Sequence, residues 1–180
     1  MGKMVSTEEL NEIIEVSRRF AVKEIHPGFL EADLESDTEW ANTVLVKSRE
    51  IGLPGLMIAE EFGGVGQSAL CGALVMDALA SECAGLASIF AYHFAGCLPL
   101  SLAGGTIKEK ALTPLANSDS EALAIATLIG PSLQEPGSLQ LVEKKGKLRL
   151  SGTSPAAGNT TFATHVVVFI EDHENKGEFT

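Results

Sequence analysis

Residues 53–68 read Leu-Pro-Gly-Leu-Met-Ile-Ala-Glu-Glu-Phe-Gly-Gly-Val-Gly-Gln-Ser, and this stretch separates two groups of predicted helices. Its four glycines and one proline exclude a continuous helix, so an irregular loop is predicted. Gly63, Gly64 and Gly66 are not followed by the Lys-Ser/Thr pair of a phosphate-binding loop, and no strand precedes them. The stretch is therefore predicted to be a structural turn.

The chain before this loop carries the sequence pattern of two helices. Ser6 and Glu9 have the spacing of a capping box, and an amphipathic stretch follows until the His-Pro-Gly at 26–28. A second pair with the same spacing, Ser36 and Glu39, precedes another amphipathic stretch. Two antiparallel helices are therefore predicted before the loop.

The chain after the loop is apolar and helical in pattern. Ser68 is placed to cap a helix of small residues, and Thr106–Leu115 is predicted as the last helix. Between Glu82 and Lys108 there is no Asp, Glu, Lys or Arg, and the run is long enough to cross a bilayer. Polar and helix-breaking residues inside it favour two shorter buried helices, with a membrane span as the alternative. These residues are His93, Gly96, Pro99, Ser101 and the Gly104-Gly105 pair.

From about residue 121 the pattern changes to short apolar or alternating runs separated by Gly, Pro and Ser. The predicted strands are Ala122–Ile129, Leu139–Glu143, Lys147–Ser151 and Thr164–Ile170. The last is predicted to be buried on both faces, because 166–170 is continuously apolar. We therefore expect an α+β protein: an all-α helical domain at 1–120, followed by the start of an incomplete, antiparallel β-barrel-like domain at 121–180.

The charge distribution argues against nucleic-acid binding. The 180-residue chain has a formal net charge of -11, whereas phosphate neutralisation requires a clustered basic surface. The one concentrated basic run is Lys144, Lys145, Lys147 and Arg149 around Gly146, which is typical of the solvated tip of an antiparallel hairpin.

Cysteine usage indicates a reducing compartment. Cys71, Cys83 and Cys97 are odd in number and lie in apolar helical stretches, as buried thiols do. Residues 1–10 contain Glu8 and Glu9 and no apolar core, so no secretory signal is expected and a cytoplasmic location is predicted. The four histidines show no metal-ligand spacing, and no metal is predicted.

Three stretches resemble landmarks of the acyl-CoA dehydrogenase family. Residues 51–66 are similar to its loop G-L-x-G-L-x-x-P-E-E-Y-G-G-x-G, with Ala59 in place of the proline. Residues 104–116, preceded by Gly96-Cys97-Leu98-Pro99, resemble the stretch that ends in K-Y-L-P-P-L-A. Leu150-Ser151-Gly152-Thr153 is similar to the L-N-G-T-K strand that leads into the flavin-contacting W-I-T-N segment.

The resemblance implies an FAD-dependent oxidoreductase of fatty acid metabolism. In the family, a Glu carboxylate removes the α-proton of an acyl-CoA thioester while the β-hydride passes to the flavin. That carboxylate belongs to a C-terminal helical domain, and the sequence is expected to end before it. The expected partners are an acyl-CoA thioester and either further copies of the chain or a subunit that supplies the missing domain.

The resemblance also implies site residues. The expected cofactor-binding residues are Leu128, Ile129, Gly130, Gly158 and Asn159. The expected substrate-binding residues are Tyr92, His93, Cys97 and Ser138. For Tyr92, His93 and Cys97 the alternative is a purely structural place in the core, since such side chains on an apolar helix are commonly satisfied core residues.

The chain departs from the family at both flavin motifs. Ile129-Gly130-Pro131 stands where the family has T-E-P, and a second register would place Glu135-Pro136-Gly137-Ser138 there. Ala156-Ala157-Gly158-Asn159 replaces W-I-T-N and removes its aromatic ring and hydroxyl. A non-catalytic binding or assembly module that has lost flavin contacts is therefore the alternative function.

Overall fold

A computed structural model of the chain describes residues 6–116, 125–129, 139–144, 146–154 and 158–169. Six helices come first: α1 Thr7–Phe20, α2 Phe29–Glu35, α3 Thr38–Ser48, α4 Ala69–Ala80, α5 Ala84–Leu102 and α6 Gly105–Ala116. Four strands follow: β1 Ala126–Ile129, β2 Gln140–Lys144, β3 Lys147–Ser151 and β4 His165–Val168. The predicted α+β class is confirmed.

The predicted start of α1 is confirmed. The hydroxyl of Ser6 accepts a hydrogen bond from the Glu9 amide at 3.2 Å, and the Glu9 carboxylate accepts one from the Ser6 amide at 2.9 Å. This reciprocal capping box satisfies two amides that have no partner within the helix. After Phe20 the helix widens into a π-helical turn at Ala21–Ile25 before the predicted stop at 26–28.

The predicted capping box at Ser36 and Glu39 is wrong, and so is the count of two helices before the loop. Ser36 adopts the left-handed conformation, with φ of 56°, and ends α2. Asp37 starts α3, because its carboxylate accepts hydrogen bonds from the Glu39 and Trp40 amides at 2.8 and 3.2 Å. A carboxylate at this end also interacts favourably with the positive end of the helix dipole.

The 53–68 loop folds back on itself, as an irregular connection must if its backbone is to be satisfied. The amides of Val65, Gly66 and Gln67 donate to the carbonyls of Gly55, Ile58 and Leu56 at 2.9, 2.7 and 2.8 Å. A short 3-10 turn at Glu60–Phe62 ends at Gly63, which has a φ of 87°. Leu53, Leu56 and Ile58 are buried, so this loop is part of the core.

The predicted division of the apolar run into two helices is confirmed at the Gly104-Gly105 pair, where α6 begins after α5 has ended at Leu102. Pro99 does not break the run, because α5 is continuous through it. The Pro99 ring conflicts with the carbonyl four residues earlier, but it lies so near the helix end at Leu102 that only the last turn is affected. By length and composition α5 could cross a bilayer, and 44% of its most apolar stretch is buried inside the chain. It packs against α4, α6 and β1.

The strands form two separate pairs among the described residues. β2 and β3 form the predicted antiparallel hairpin, with Lys144 opposite Lys147 and Gly146 at a φ of 70°. β1 and β4 are parallel, with Ala126 opposite His165. This parallel pair was not predicted, since the sequence analysis expected an antiparallel domain. The prediction that β4 is buried on both faces is wrong, because Val166 is 53% exposed.

Helices and strands contribute to the same two buried apolar clusters. Ile125 packs in the main cluster, together with side chains of α1, α3, α4, α5, the π-helical turn and the 53–68 loop. Ala126 packs with Ile58, Cys97, Leu112 and Leu115 in a second cluster. The glycine at 96 allows Ala126 to pack closely on α5. A side chain at 96 would place its Cβ only 2.9 Å from the Ala126 Cβ, which is too close for two carbon atoms. The β region is therefore attached to the helices through the start of β1.

We predict that Gly64→Ala destabilises the protein strongly whereas Gly104→Ala does not. A Cβ on Gly64 would overlap the carbonyl groups of Ile58 and Gly55, which are backbone atoms that the folded loop cannot move. Overpacking of this kind costs about 1–3 kcal/mol. A Cβ on Gly104 meets nothing within 4 Å. Urea unfolding of both variants measures the difference, and equal stabilities would show that the loop does not hold this geometry.

Candidate functional site

The expected cofactor and substrate residues converge where α5, β1 and the turn at 158–162 meet. Tyr92, His93 and Cys97 lie on α5, and Gly158 and Asn159 lie in the turn. Leu128 and Ile129 belong to β1 by their backbone. Gly130 and Ser138 lie outside the described residues. The structure therefore brings five of the nine predicted site residues together, and their binding roles stay predictions.

His93 is fully buried and joins three parts of the chain. Its Nε2 lies 2.8 Å from the Pro54 carbonyl oxygen, and its Nδ1 lies 3.1 Å from the Ala126 amide nitrogen. A carbonyl can only accept and an amide can only donate, so Nε2 carries the proton and Nδ1 is bare. The imidazole is therefore neutral in the fold and links the 53–68 loop, α5 and β1.

The pKa of His93 is lowered from 6.5 to about 4, first because burial penalises the charged ring. The hydrogen bond to the Pro54 carbonyl acts in the opposite direction, and the nearby His165 adds a smaller lowering effect. Protonation of Nδ1 would also place two N–H groups, those of His93 and Ala126, against each other. Several contacts thus hold the neutral form.

Cys97 lies one helical turn from His93, with its Sγ 3.7 Å from the His93 Nε2. A thiol beside an imidazole can be a nucleophile and its base. Here burial raises the pKa of Cys97 to about 12 while it lowers the pKa of His93, so proton transfer from thiol to ring is unfavourable. The pair is suited to packing and not to nucleophilic catalysis.

Asn159 fixes the turn against both α5 and β1. Its side-chain amide donates to the carbonyl oxygens of Ile89 and Ala126 at 3.2 and 3.3 Å. Its backbone has a φ of 65°, a conformation that asparagine tolerates better than most residues. The Oδ1 atom of Asn159 is buried, and none of the described residues donates a hydrogen bond to it.

Thr127 is a site residue that the sequence reasoning missed. Its hydroxyl is buried and donates to the Gly158 carbonyl at 2.7 Å, which ties β1 to the turn. Gly158 in turn lies against the ring of Tyr92, so closely that a Cβ at 158 would overlap that ring. The sequence does contain a sign of this role, because Thr127 is a polar residue inside an apolar strand. A hydroxyl that is buried in such a strand needs a hydrogen-bond partner.

A cleft of about 540 Å³ opens near Asn159 and Phe162. It lies between the turn, α2, the start of α3 and the start of α5, and Phe29, Trp40 and Leu86 contribute apolar walls. Within the described ranges, no group of three or more His, Cys, Asp or Glu side chains is arranged to hold a metal ion. The cleft and the exposed part of Tyr92 are thus the ligand-accessible features of this region.

Residues 7–119 match the family model described as acyl-CoA dehydrogenase, N-terminal domain. The chain belongs to the acyl-CoA dehydrogenase family. The acryloyl-CoA reductase (NADH) of Anaerotignum propionicum is 29% identical over 145 residues, which are 72% of this chain and 36% of that protein.

Solved structures share the fold of this acyl-CoA dehydrogenase family member. A chain in the structure of the electron transferring flavoprotein of Acidaminococcus fermentans superposes with a TM-score of 0.80 at 24% identity, over 96% of this chain and 46% of that one. The acyl-CoA dehydrogenase complexed with FAD from Bacillus anthracis superposes with a TM-score of 0.76 at 24% identity. The match covers 95% of this chain and 30% of that one. The chain therefore spans less than half the length of these relatives.

The 158–159 turn of this family member fits a flat ring system that carries a hydrogen-bond donor. The buried Oδ1 of Asn159 has no donor among the described residues, and an unused acceptor in such a place is costly. The close packing of Gly158 on Tyr92 places an aromatic ring beside the same turn. Both features are compatible with a flavin.

We predict that acid destabilises the protein through His93. Its folded pKa of about 4 lies below its unfolded value of 6.5, so the unfolded chain binds more protons between these pH values. The contribution is fully present above about pH 6.5 and is lost as the pH falls toward 4, by roughly 3 kcal/mol in total.

Unfolding free energies of the wild type and of His93→Gln, measured from about pH 7 to about pH 5, test this. The variant is less stable at neutral pH, because the Pro54 and Ala126 backbone groups lose a well-placed partner. Its stability also falls less steeply with acid. His26→Gln, which removes an exposed histidine, is the control and keeps the steep decline. Parallel curves for the wild type and His93→Gln would contradict the assignment.

Proposed function

We propose that the chain is the N-terminal part of an FAD-dependent acyl-CoA dehydrogenase-like flavoprotein that acts on an acyl-CoA thioester. The supporting observation is the convergence of Tyr92, His93 and Cys97 with Gly158 and Asn159. These residues were expected to bind substrate and cofactor, respectively, and they lie far apart in sequence. Family membership and FAD-containing relatives of the same fold support the same proposal.

In this proposal the residues of the chain position ligands and leave the redox chemistry to FAD, which accepts a hydride from the substrate when bound. Asn159 holds the turn against α5 and β1 through its side-chain amide, and the Gly158 backbone stays in place through Thr127. His93 keeps β1 at a fixed position on α5. Removal of the α-proton requires a carboxylate, which we assign to polypeptide corresponding to the rest of the longer relatives.

The exposed face of α5 supports an association with further polypeptide. It is free of charge along 84–102, and Leu98 and Leu102 are exposed on it, as is Ile107 on the next helix. Apolar surface of this kind commonly marks an interface. We propose that it is covered either by the remaining half of the enzyme or by other copies of the chain, within a reducing, cytoplasmic environment.

One observation favours the alternative, a binding or assembly module without catalysis. The described polar groups of the site are largely bonded to the backbone of the chain itself: both ring nitrogens of His93, the Asn159 amide nitrogen and the Thr127 hydroxyl. Groups engaged in this way stabilise the fold and offer little to a ligand. On this view, the alanines at 156 and 157 mark a site that no longer binds flavin.

Titration of the purified chain with FAD separates the two functions. If the proposal holds, FAD binds with a shift in its visible spectrum, and Asn159→Gly weakens binding about tenfold. Glycine keeps the left-handed backbone and removes the whole side chain, including the hydrogen bonds that its amide donates to the Ile89 and Ala126 carbonyls. The thermal midpoint of the variant therefore has to be compared with that of the wild type before lost affinity is assigned to the site. Asn42→Ala, an exposed amide on α3, is the matched control and leaves affinity unchanged.

Butyryl-CoA is then added anaerobically to the FAD-loaded chain together with the complementary half of a relative. Bleaching of the flavin absorbance supports the dehydrogenase reaction. Absence of FAD binding, both alone and with that half supplied, would overturn the flavoprotein and leave the assembly module.

A further inference from the structure

Tyr92 is an aromatic residue of α5 that packs directly on the turn at 158–162. It is the only tyrosine in the sequence, it is 39% exposed, and its ring lies on the backbone of Gly158. A Cβ at 158 would overlap Cε2 and Cζ of the ring and approach Cδ2 at 2.8 Å. The ring is therefore held by a backbone surface that only glycine provides.

The surface that supports this ring is itself fixed. The Gly158 carbonyl accepts the Thr127 hydroxyl at 2.7 Å, and Asn159 is bonded to α5 and β1. A side chain on such a support loses little freedom when it contacts a ligand, which lowers the entropic cost of binding. Tyr92 is thus preorganised, although it is partly exposed.

The neighbours of Tyr92 along the same helix face leave its ring accessible. Ser88 and Ala91 are small and exposed, and Ala95 is small and partly exposed. No charged residue occurs in α5 to favour a polar ligand. A half-exposed aromatic ring with small apolar neighbours is suited to a flat, conjugated partner, which stacks on it or meets it edge to face.

We infer that the ring of Tyr92 contacts the isoalloxazine ring of FAD and supplies the aromatic contact that Ala156 and Ala157 cannot make. This inference rests on the proposed function and assigns the contact to a helix residue instead of the turn. Tyr92 packs on the adjacent Gly158, so its ring reaches the same turn from α5.

Flavin fluorescence provides a readout independent of activity. A tyrosine in contact with flavin quenches its emission by lending an electron to the excited ring and taking it back, whereas phenylalanine lacks the phenol that donates it. The chain contains one tyrosine and one tryptophan, so each donor can be removed singly. Trp40 lines the cleft of about 540 Å³ that also borders Asn159, and it reports on a flavin bound in that cleft.

The experiment compares FAD affinity and the emission of bound FAD in the wild type and four variants. Tyr92→Phe is expected to bind FAD within about twofold of the wild type, because the ring is kept, and to raise emission severalfold. Tyr92→Leu is expected to raise emission and to weaken binding about tenfold, as loss of an aromatic stacking contact does. Leu98→Ala, on the exposed face of the same helix, and Trp40→Phe leave both quantities unchanged.

Each opposite outcome decides against the inference. Unchanged emission in Tyr92→Phe, or unchanged affinity in Tyr92→Leu, would show that the ring does not touch the flavin while the flavoprotein itself stands. Increased emission in Trp40→Phe alone would place the flavin in the cleft. A wild type that binds no FAD, either alone or with the complementary half of a relative, would remove both the proposed function and the inference. Thermal midpoints of the variants identify any loss of affinity that is caused by unfolding.

Discussion

The structure depends on one buried imidazole. His93 donates to the Pro54 carbonyl and accepts from the Ala126 amide, so a single side chain satisfies one backbone group of the loop and one of the first strand. Without it, both groups would be buried and unsatisfied, at about 1–3 kcal/mol each. The loop and β1 are distant in sequence, and both also contribute buried apolar residues to the interior. The imidazole therefore helps to determine how the β region sits on the helices.

The same burial limits what this region can do chemically. An environment that holds His93 neutral and the Cys97 thiol protonated removes both residues from proton transfer near neutral pH. The other described features of this region can only position a ligand. They are the fixed backbone of the turn, the unsatisfied Oδ1 of Asn159 and the half-exposed ring of Tyr92. In the proposed function, the described residues orient the cofactor and other polypeptide supplies the group that moves protons. This agrees with a chain that spans less than half of its relatives.

Local features were predictable from the sequence, and features set by distant contacts were not. The capping box of Ser6 and Glu9 and the hairpin turn at Gly146 depend on a few adjacent residues, and both are confirmed. Ser36 was predicted as the cap of α3 because it has capping-box spacing to Glu39. Sequence spacing does not show that Ser36 has a left-handed backbone and ends α2, which leaves Asp37 as the cap. The continuity of α5 through Pro99 and the exposure of Val166 depend on what packs beside them. The partners of His93 and Thr127 were likewise invisible, although the convergence of the site residues followed from the family resemblance.

The conformation of Asn159 bears on the choice between a flavoprotein and an assembly module. A left-handed asparagine whose amide nitrogen joins α5 to β1 is explained by the fold alone, and a module without cofactor would keep it. The buried Oδ1 is different, because an unsatisfied acceptor lowers stability and the fold gains nothing from it. Such a cost is typical of sites that are completed by a ligand. The half-exposed Tyr92 beside it is unexplained by the fold in the same way, and a flavin that contacts both would account for the two features together.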